Sequence, residues 1–330
     1  MSVLVTGGAG YIGSHMVHHL RDQGEKVVVV DSLRTGFREA VPSGVPFYHT
    51  DIADSDRVRQ VICDHKIDAI IHFAGSIVVP ESVADPLGYY HNNTVKSRSL
   101  IASAVDTGVK NFIFSSTAAV YGEPEQNPVA EDAPLRPVSP YGSSKLMTEM
   151  MLADTAFAHD FNYVALRYFN VAGADPSGRC GQSTPEATHL IKVACEAATG
   201  KRERLAVFGR DYDTTDGTCI RDYIHVADLA KAHRLALNYL RRGGKSDVFN
   251  CGYSHGFSVL EVIESVKRVT GVDFPVDNAE RRAGDPPALI AESSKLRRTL
   301  GWQPELYDLD TIVGHAFAWE RALNQVKAAS

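Results

Sequence analysis

Short runs of β-branched and aromatic residues punctuate the first half of the chain: Val3 to Thr6, Val27 to Asp31, Ala69 to Phe73, Asn111 to Ser115 and Tyr163 to Arg167. Their near-continuous apolarity predicts strands buried on both faces, the condition met inside a parallel sheet. Between them, apolar residues recur at helical spacing in His15 to Gln23, Val58 to His65 and Ser97 to Thr107. Strand alternating with helix predicts an α/β fold, a doubly wound parallel sheet with helices on both faces. After Arg167 the alternation fades. From Asn170 onward the chain turns to Gly- and Pro-containing loops such as Gly173 to Gly178, interleaved with helices at Ala227 to Leu240 and Val259 to Thr270. Two parts are therefore expected: residues 1–170 as a nucleotide-binding domain, and residues 171–330 as a smaller mixed α/β substrate-binding region, some of whose elements return to the first sheet. There is no internal repeat and no low-complexity segment.

The first strand runs straight into Gly7-Gly8-Ala9-Gly10-Tyr11-Ile12-Gly13, which opens the first helix. A lone glycine pattern says little, but strand, glycine loop and helix in this order have a mechanical reading. Gly7 and Gly10 let the backbone turn tightly and approach a pyrophosphate, and Gly13 lets the helix pack closely. The helix N-terminus supplies free N–H donors and a positive dipole end. The loop is thus expected to hold a dinucleotide in a Rossmann-type domain. Asp31, at the tip of the second strand, is placed to accept from both adenosine ribose hydroxyls and to repel a 2′-phosphate, which selects NAD over NADP. Asp51 and Ile52 stand where the adenine edge would lie; Asp51 reads equally well as the cap of the helix starting at Ser55.

Tyr141 and Lys145 fall at i and i+4 near the start of a helix and so share one face. A neighbouring ammonium stabilises a phenolate, which would let Tyr141 act as a base well below the ordinary phenol range of about 10. On its own such a pair is usually a surface stack. It gains meaning from Ser115-Ser116-Thr117, which end an apolar strand on the carboxyl edge of the sheet, where doubly wound folds bind their ligands. A hydroxyl there is able to orient a substrate alcohol; its structural alternative is a strand-end turn or helix cap.

Composition narrows the partners. The 330 residues are 44% hydrophobic and 22% charged, enough for a large core, and the net charge of -6 offers no basic footprint for nucleic acid or an anionic membrane. No apolar run approaches the roughly 18 to 20 residues of a membrane span, and the chain enters its first strand at Val3 without a charged leader, so a cytoplasmic protein is expected. The five cysteines form no C-x-x-C pair and the thirteen histidines no H-E-x-x-H, so no metal site is expected.

Taken together, Thr6 to His15, His72-Phe73-Ala74-Gly75, Tyr90-His91-Asn92-Asn93, Tyr141-x-x-x-Lys145, Arg167-Tyr168-Phe169-Asn170 and Arg221-Asp222-Tyr223-Ile224-His225 resemble the extended short-chain dehydrogenase/reductases, and among them the epimerases of UDP-hexoses. The resemblance spans nearly the whole chain. It implies a bound NAD held by Gly7, Gly10, Tyr11, Ile12, Gly13, Asp31, Asp51, Ile52, Phe73, Ala74, Gly75, Asn92, Ser115, Tyr141, Lys145 and Tyr168. It implies that Thr117, Tyr141 and Lys145 carry the chemistry and that Phe169 and Asn170 face the nucleotide sugar. Ala206-Val207-Phe208 would contact uridine, Arg221 and Arg282 with Asp285 would clamp the diphosphate, and His189 and Leu190 would lie near the sugar or diphosphate. Leu289 resembles a gate position at which a bulky Tyr narrows the sugar pocket and a small residue admits an N-acetyl group.

The activity so implied is interconversion of UDP-glucose and UDP-galactose through a 4-keto sugar, with UDP-N-acetylhexosamines as alternative substrates. A 4,6-dehydratase needs an acid and a base beyond the strand-end threonine. Here Thr117 is followed by Ala118-Ala119, whose methyl groups shuttle no protons. A cofactor-sensing protein without chemistry would need none of Tyr141, Lys145 and Thr117. The resemblance also implies a homodimer, for which the helices Ser97 to Thr107 and Leu146 to His159 are the candidate interface. For Arg221-Asp222 and Arg282 with Asp285, plain surface ion pairs are the alternative reading.

Overall fold

The computed structural model describes residues 1–282 and 284–329; Ala283, within the Arg282 to Asp285 segment, lies outside them. Seven strands, β1 (Ser2–Thr6), β2 (Lys26–Asp31), β3 (Phe47–His49), β4 (Ile67–His72), β5 (Asn111–Ser115), β6 (Asn162–Tyr168) and β11 (Asp247–Cys251), form one parallel sheet in the order β11-β6-β5-β4-β1-β2-β3. The intervening short strands pair apart from it. β7 (Asn170–Ala172) lies beside β10 (Tyr223–His225), β8 (Leu205–Phe208) beside β13 (Val276–Ala279), and β9 (Ile220–Arg221) between β12 (Phe257–Ser258) and β14 (Ala288–Leu289).

Eleven α-helices surround these sheets among the described residues: α1 (Tyr11–Asp22), α2 (Ser55–His65), α3 (Val79–Ala84), α4 (Pro86–Tyr89), α5 (Lys96–Asp106), α6 (Pro140–Ala158), α7 (Leu190–Ala198), α8 (Val226–Arg241), α9 (Val259–Thr270), α10 (Ser294–Leu300) and α11 (Leu309–Ala329). Strand residues alternate between two cores, as a pleat of period two requires. Val3, Val5, Val27, Val29 and Ile71 pack with Met16, Val17 and Leu20 of α1 and with Leu229 and Leu237 of α8. Leu4, Val28, Val30 and Ile70 pack with Val58 and Ile62 of α2 and Leu100 of α5. Each such fully buried side chain contributes about 1.5–3 kcal/mol of transfer free energy.

The strand order places the site. The chain runs outward from β1 through β2 and β3, then crosses to the other side of β1 to lay down β4. The connections after β1 and β4 therefore diverge and leave a crevice beyond their carboxyl ends, where ligands of doubly wound sheets bind. The two loops nonetheless stay in register at their roots: Gly7 N–H donates to Val30 O at 2.9 Å and Phe73 N–H to Thr6 O at 3.0 Å.

Past residue 170 the chain returns to the first sheet. β11 pairs with β6 from Asp247↔Val164 to Cys251↔Tyr168, and α8 packs on α1. Elsewhere in the second part, Glu196 of α7 binds Lys201 at 2.6 Å and Arg202 at 2.5 Å, and Lys192 bridges Glu196 to Glu320, which fastens α11 to α7. No described helix is long and apolar enough to cross a membrane. Among the described residues no group of three or more His, Cys, Asp or Glu is placed to hold a metal. All five cysteines are free thiols, with Cys63 exposed and the others buried.

Candidate active site

The glycine loop is shaped by backbone contacts. Gly7 has φ of +72°, and a β-carbon there would stand 2.6 Å from Ala74 N. At Gly13 it would stand 2.1 Å from Gly7 O, whereas at Gly10 the nearest atom is Gly7 O at 3.3 Å. Gly7 and Gly13 are thus required by the fold itself, and Gly10 leaves an open approach to the helix. Gly10 is the N-cap of α1 and no side chain caps it, so the first-turn amides are free for an external acceptor, as an anion site needs. The Tyr11 hydroxyl donates to Gly173 O at 2.7 Å and ties the loop to the segment after β7. Ile12 packs against the core.

Asp31 is buried, and each of its oxygens accepts one backbone N–H, from Ala9 at 2.9 Å and from Leu33 at 2.7 Å. Lone pairs remain on both oxygens for ribose hydroxyls. Asp51 does not cap α2. That role falls to Asp54, which accepts from Arg57 N, while Asp51 accepts from Ala53 N at 2.9 Å and Lys96 Nζ at 2.5 Å. Asp54 stands directly before Ser55 and is the residue the cap position demands. Ile52 is buried beside it. A glycine loop without side chains, a free helix N-terminus and an acid at the β2 tip together fit an NAD.

Across the crevice, Phe73, Ala74 and Gly75 follow β4. A β-carbon on Gly75 would stand 3.1 Å from Asn93 Oδ1 and 3.7 Å from Lys145 Nζ, so the β4 loop and Lys145 share one space. A π-helical turn, Tyr90–Val95, presents both asparagines. Asn92 Nδ2 donates to Ser76 Oγ at 3.0 Å, and buried Asn93 accepts from Ser76 N at 2.7 Å and donates to Ser144 Oγ at 3.0 Å. Behind them Thr6 Oγ1 lies 2.7 Å from His72 Nδ1, and His72 Nε2 lies 2.8 Å from Ser97 Oγ. Ser97 in turn donates to Asn93 O at 2.5 Å. This orders the chain: Ser97 accepts from His72 Nε2–H, and Thr6 donates to Nδ1, so the ring is neutral. Burial agrees, pulling His72 down to about 3.

Tyr141 and Lys145 sit on the first turns of α6, which Ser139 caps by accepting from Gly142 N at 3.2 Å. Both side chains are buried. Contrary to the lowering expected from the Lys145 spacing, burial raises the Tyr141 phenol above its ordinary range, and the neighbouring Thr117 hydroxyl opposes that rise. Burial likewise pulls Lys145 down to about 8, opposed by the charge of Glu149 one turn on. Lys145 Nζ donates to Ser115 O at 3.0 Å. The Ser115 hydroxyl lies 2.6 Å from the Tyr168 hydroxyl, so Ser115 meets Tyr168 and Lys145 at once. Thr117 Oγ1 accepts from Ala119 N at 3.1 Å and keeps its proton free to donate.

Sequence reasoning passed over what supports this edge. Ser116 donates to Glu149, whose carboxylate is forked by Arg167 with Nη2 at 2.6 Å and Nε at 3.1 Å. Arg167 Nη1 continues to the Tyr121 hydroxyl at 3.0 Å, and that hydroxyl donates to Asn250 Oδ1 at 2.6 Å. The signal was available: Glu149 lies four residues after Lys145 and eight after Tyr141, on the same helical face.

On the substrate side the structure rearranges the pairing read from sequence. Arg221 does not pair with Asp222, and Arg282 does not pair with Asp285. Asp222 is buried and accepts the backbone N–H groups of Tyr253, Ser254 and Ala291. Arg221 instead reaches Asp285 at 3.4 Å, and the exposed Arg282 guanidinium lies 3.9 Å from the Phe208 ring centroid. Along β8, Ala206 is exposed and Phe208 half-buried, but Val207 points into the core. Val207 therefore offers a ligand only its backbone. Asn170 N–H donates to Asp222 O at 2.9 Å, joining the residue after Phe169 to the Arg221 strand. His189 precedes α7 and accepts from Gln182 Nε2 at 2.9 Å, and half-buried Leu190 opens that helix. Leu289 packs against a small apolar cluster that includes Phe169, Val129 and Ala118, the residue that follows Thr117. A separate groove of about 1260 Å³ beside α9 and the start of α11 is lined by Phe257, Trp302 and Tyr307. It contains none of these residues; the buried titratable groups Tyr141 and Lys145 lie instead at the sheet edge.

Residues 3–252 match the model of the NAD dependent epimerase/dehydratase family. A UDP-glucose 4-epimerase of Azospirillum brasilense is 58% identical over 323 residues, covering 98% of this chain and 93% of that protein. The crystal structure of UDP-glucose 4-epimerase from Brucella ovis in complex with NAD superposes with a TM-score of 0.94 at 46% identity, covering 96% of this chain and 97% of that one. The UDP-Glc/GlcNAc 4-epimerase of Campylobacter jejuni superposes with a TM-score of 0.85 at 50% identity, covering 97% and 99%.

Proposed function

The chain belongs to the NAD dependent epimerase/dehydratase family, and from that premise we propose that it interconverts UDP-glucose and UDP-galactose by reversible oxidation at carbon 4 of the sugar. The observation that carries this reading is the buried Tyr141–Lys145 pair set against Thr117, followed by two alanines. Bound NAD supplies a hydride acceptor that later becomes the donor.

The remaining chemistry belongs to the chain. Tyr141 takes the proton of the sugar 4-hydroxyl, and Thr117 donates to the same oxygen and fixes its direction. Lys145, anchored on Ser115 O, supplies the positive charge that favours the phenolate form of Tyr141, which becomes a phenol as it takes this proton. The 4-keto sugar then turns over and Tyr141 returns the proton to the inverted alcohol. Turning requires a loose sugar pocket and a firm grip on UDP. Arg221 and Arg282 suit the diphosphate because a planar guanidinium meets phosphate oxygens with two donors. The half-buried Phe208 ring and the backbone of Val207 suit the uracil. Ala118 and Ala119 stand where a dehydratase needs proton carriers.

Half-buried Leu289 at the sugar end favours hexoses, with N-acetylated sugars as secondary substrates; the Campylobacter relative is named for both kinds. The test is incubation of purified protein with UDP-galactose, UDP-glucose and UDP-GlcNAc without added NAD. Galactose–glucose interconversion supports the reading. A protein that carries NAD yet converts none of them overturns it, and a 4-keto-6-deoxy product makes the enzyme a dehydratase.

We also infer a homodimer. Met147, Met150 and Phe157 of α6 are exposed, as are Val83 of α3, Leu87 of α4 and Val95 of the π-helical turn. These elements pack side by side, and apolar residues clustered on one helical layer suit a second copy of the chain. A monomer in size-exclusion chromatography with light scattering would refute this. Free thiols suit a cytoplasmic setting.

A further inference from the structure

Leu289 lies in a two-residue strand, and so short a strand has little hold on its own position. One edge of β14 is held by β9: Ile220 N–H donates to Pro287 O at 2.8 Å and Asp222 N–H to Leu289 O at 3.3 Å. The other edge faces residues 127–129. There Val129 N–H donates to Ile290 O at 2.8 Å and Glu292 N–H to Val129 O at 2.8 Å, the pattern of one parallel rung opposite Ala291. Two residues earlier, opposite Leu289, the main chain gives way to a side chain. Asn127 Nδ2 donates to Ala288 O at 3.0 Å, and Asn127 Oδ1 accepts from Ile290 N at 2.9 Å.

The amide of Asn127 thus makes the same pair of bonds that a facing residue makes in a parallel ladder, donating to the residue before its partner and accepting from the residue after it. It grips both peptides that flank Leu289. The segment it belongs to is itself anchored beneath: Asn250 Nδ2 donates to Val129 O at 2.8 Å, and Asn250 also accepts from Tyr121, which accepts from Arg167. The gate strand is therefore referred, through Asn127 and Val129, to the polar group that braces the catalytic helix.

We propose that Asn127 is a specificity-determining positioning residue, whose side-chain amide fixes the backbone of Leu289 and thereby the width of the sugar pocket at carbon 2. This rests on the reading of Leu289 as the gate. Without the clamp β14 keeps only its β9 edge at this point, Leu289 draws back from Phe169 and Ala118, and a bulkier 2-substituent is admitted. No other candidate residue is displaced, because Arg221 lies on β9, whose bonds to β14 and β12 remain.

The experiment compares the ratio of kcat/KM for UDP-GlcNAc to that for UDP-glucose in the parent enzyme, Asn127→Ala, Asn127→Asp, Leu289→Ala and the Asn127→Ala/Leu289→Ala pair. Asn127→Ala removes both bonds, and Asn127→Asp sets a carboxylate oxygen against Ala288 O. Both are expected to raise the ratio roughly 3- to 10-fold, less than the about 10- to 200-fold by which a pocket discriminates one methylene, because the Leu289 side chain is shifted and not removed. In the double variant Asn127→Ala should add less than twofold to Leu289→Ala, since it acts through that side chain. A residue of purely structural importance would lower both kcat/KM values together and leave the ratio alone. If Leu289→Ala shifts the ratio and Asn127→Ala does not, the role of Asn127 is refuted and the gate stands. If Leu289→Ala leaves the ratio unchanged, the gate reading itself falls, and the proposal with it.

Discussion

Lys145 Nζ donates to the Ser115 carbonyl oxygen at 3.0 Å, so the cation one helical turn from Tyr141 is anchored to the end of a core strand. Its charge is therefore fixed in place, and the pH at which that charge is lost is open to measurement. Burial pulls the ammonium down to about 8. It is charged below that value and neutral above it, and kcat is expected to fall as pH rises through about 8. Lys145→Arg should shift this alkaline limb upward, because a guanidinium stays protonated. The linked effect on stability has the opposite sign. Between about 8 and the unfolded value of about 10.4 the unfolded chain holds a proton the native one lacks, so the contribution of this residue to stability rises with pH there.

Tyr141→Phe keeps the ring and its packing but removes the proton acceptor. A fall in kcat of about 10²- to 10⁴-fold is expected, with NAD still retained after gel filtration. Loss of the nucleotide along with the rate would point to a structural role.

Glu149 and Arg167 are both buried and satisfy one another. Glu149→Gln leaves the guanidinium without its counter-charge and should cost about 3–5 kcal/mol in denaturant unfolding. The double variant Glu149→Gln/Arg167→Met should recover part of that loss. Equal stability of the single variant and the parent would show that the pair carries no such penalty.

The glycines of the loop separate by what a methyl group would meet. Gly13→Ala collides with Gly7 O, so it should lower the thermal midpoint even of protein stripped of nucleotide. Gly10→Ala meets only Gly7 O at 3.3 Å; the stripped protein should lose much less of its midpoint than Gly13→Ala does, while affinity for NAD falls. Calorimetry with and without NAD distinguishes the two.

The sheet was legible because strands buried on both faces advertise themselves: Leu4, Val28 and Ile70 are apolar whichever way they point. β11 was not, because its Asp247-Val248-Phe249-Asn250-Cys251 run carries polar residues that only their partners explain, Lys295 for Asp247 and Tyr121 for Asn250. Tyr141, Lys145 and the strand-end hydroxyls were legible because helical spacing and strand ends are local properties. Pairings across the chain were not. Arg221 meets Asp285 and not the adjacent Asp222, whose burial among backbone N–H groups no spacing foretells. The amide of Asn127 is invisible for the same reason, since its partners lie more than 160 residues away.

If oxidation and reduction occur at one carbon in one site, a label at that carbon stays with the sugar. UDP-glucose deuterated at carbon 4 is incubated with the protein without added NAD, and the UDP-galactose formed is isolated. The account predicts that the deuterium is retained at carbon 4 of the product. Deuterium lost to solvent, or a product deoxygenated at carbon 6, would contradict it.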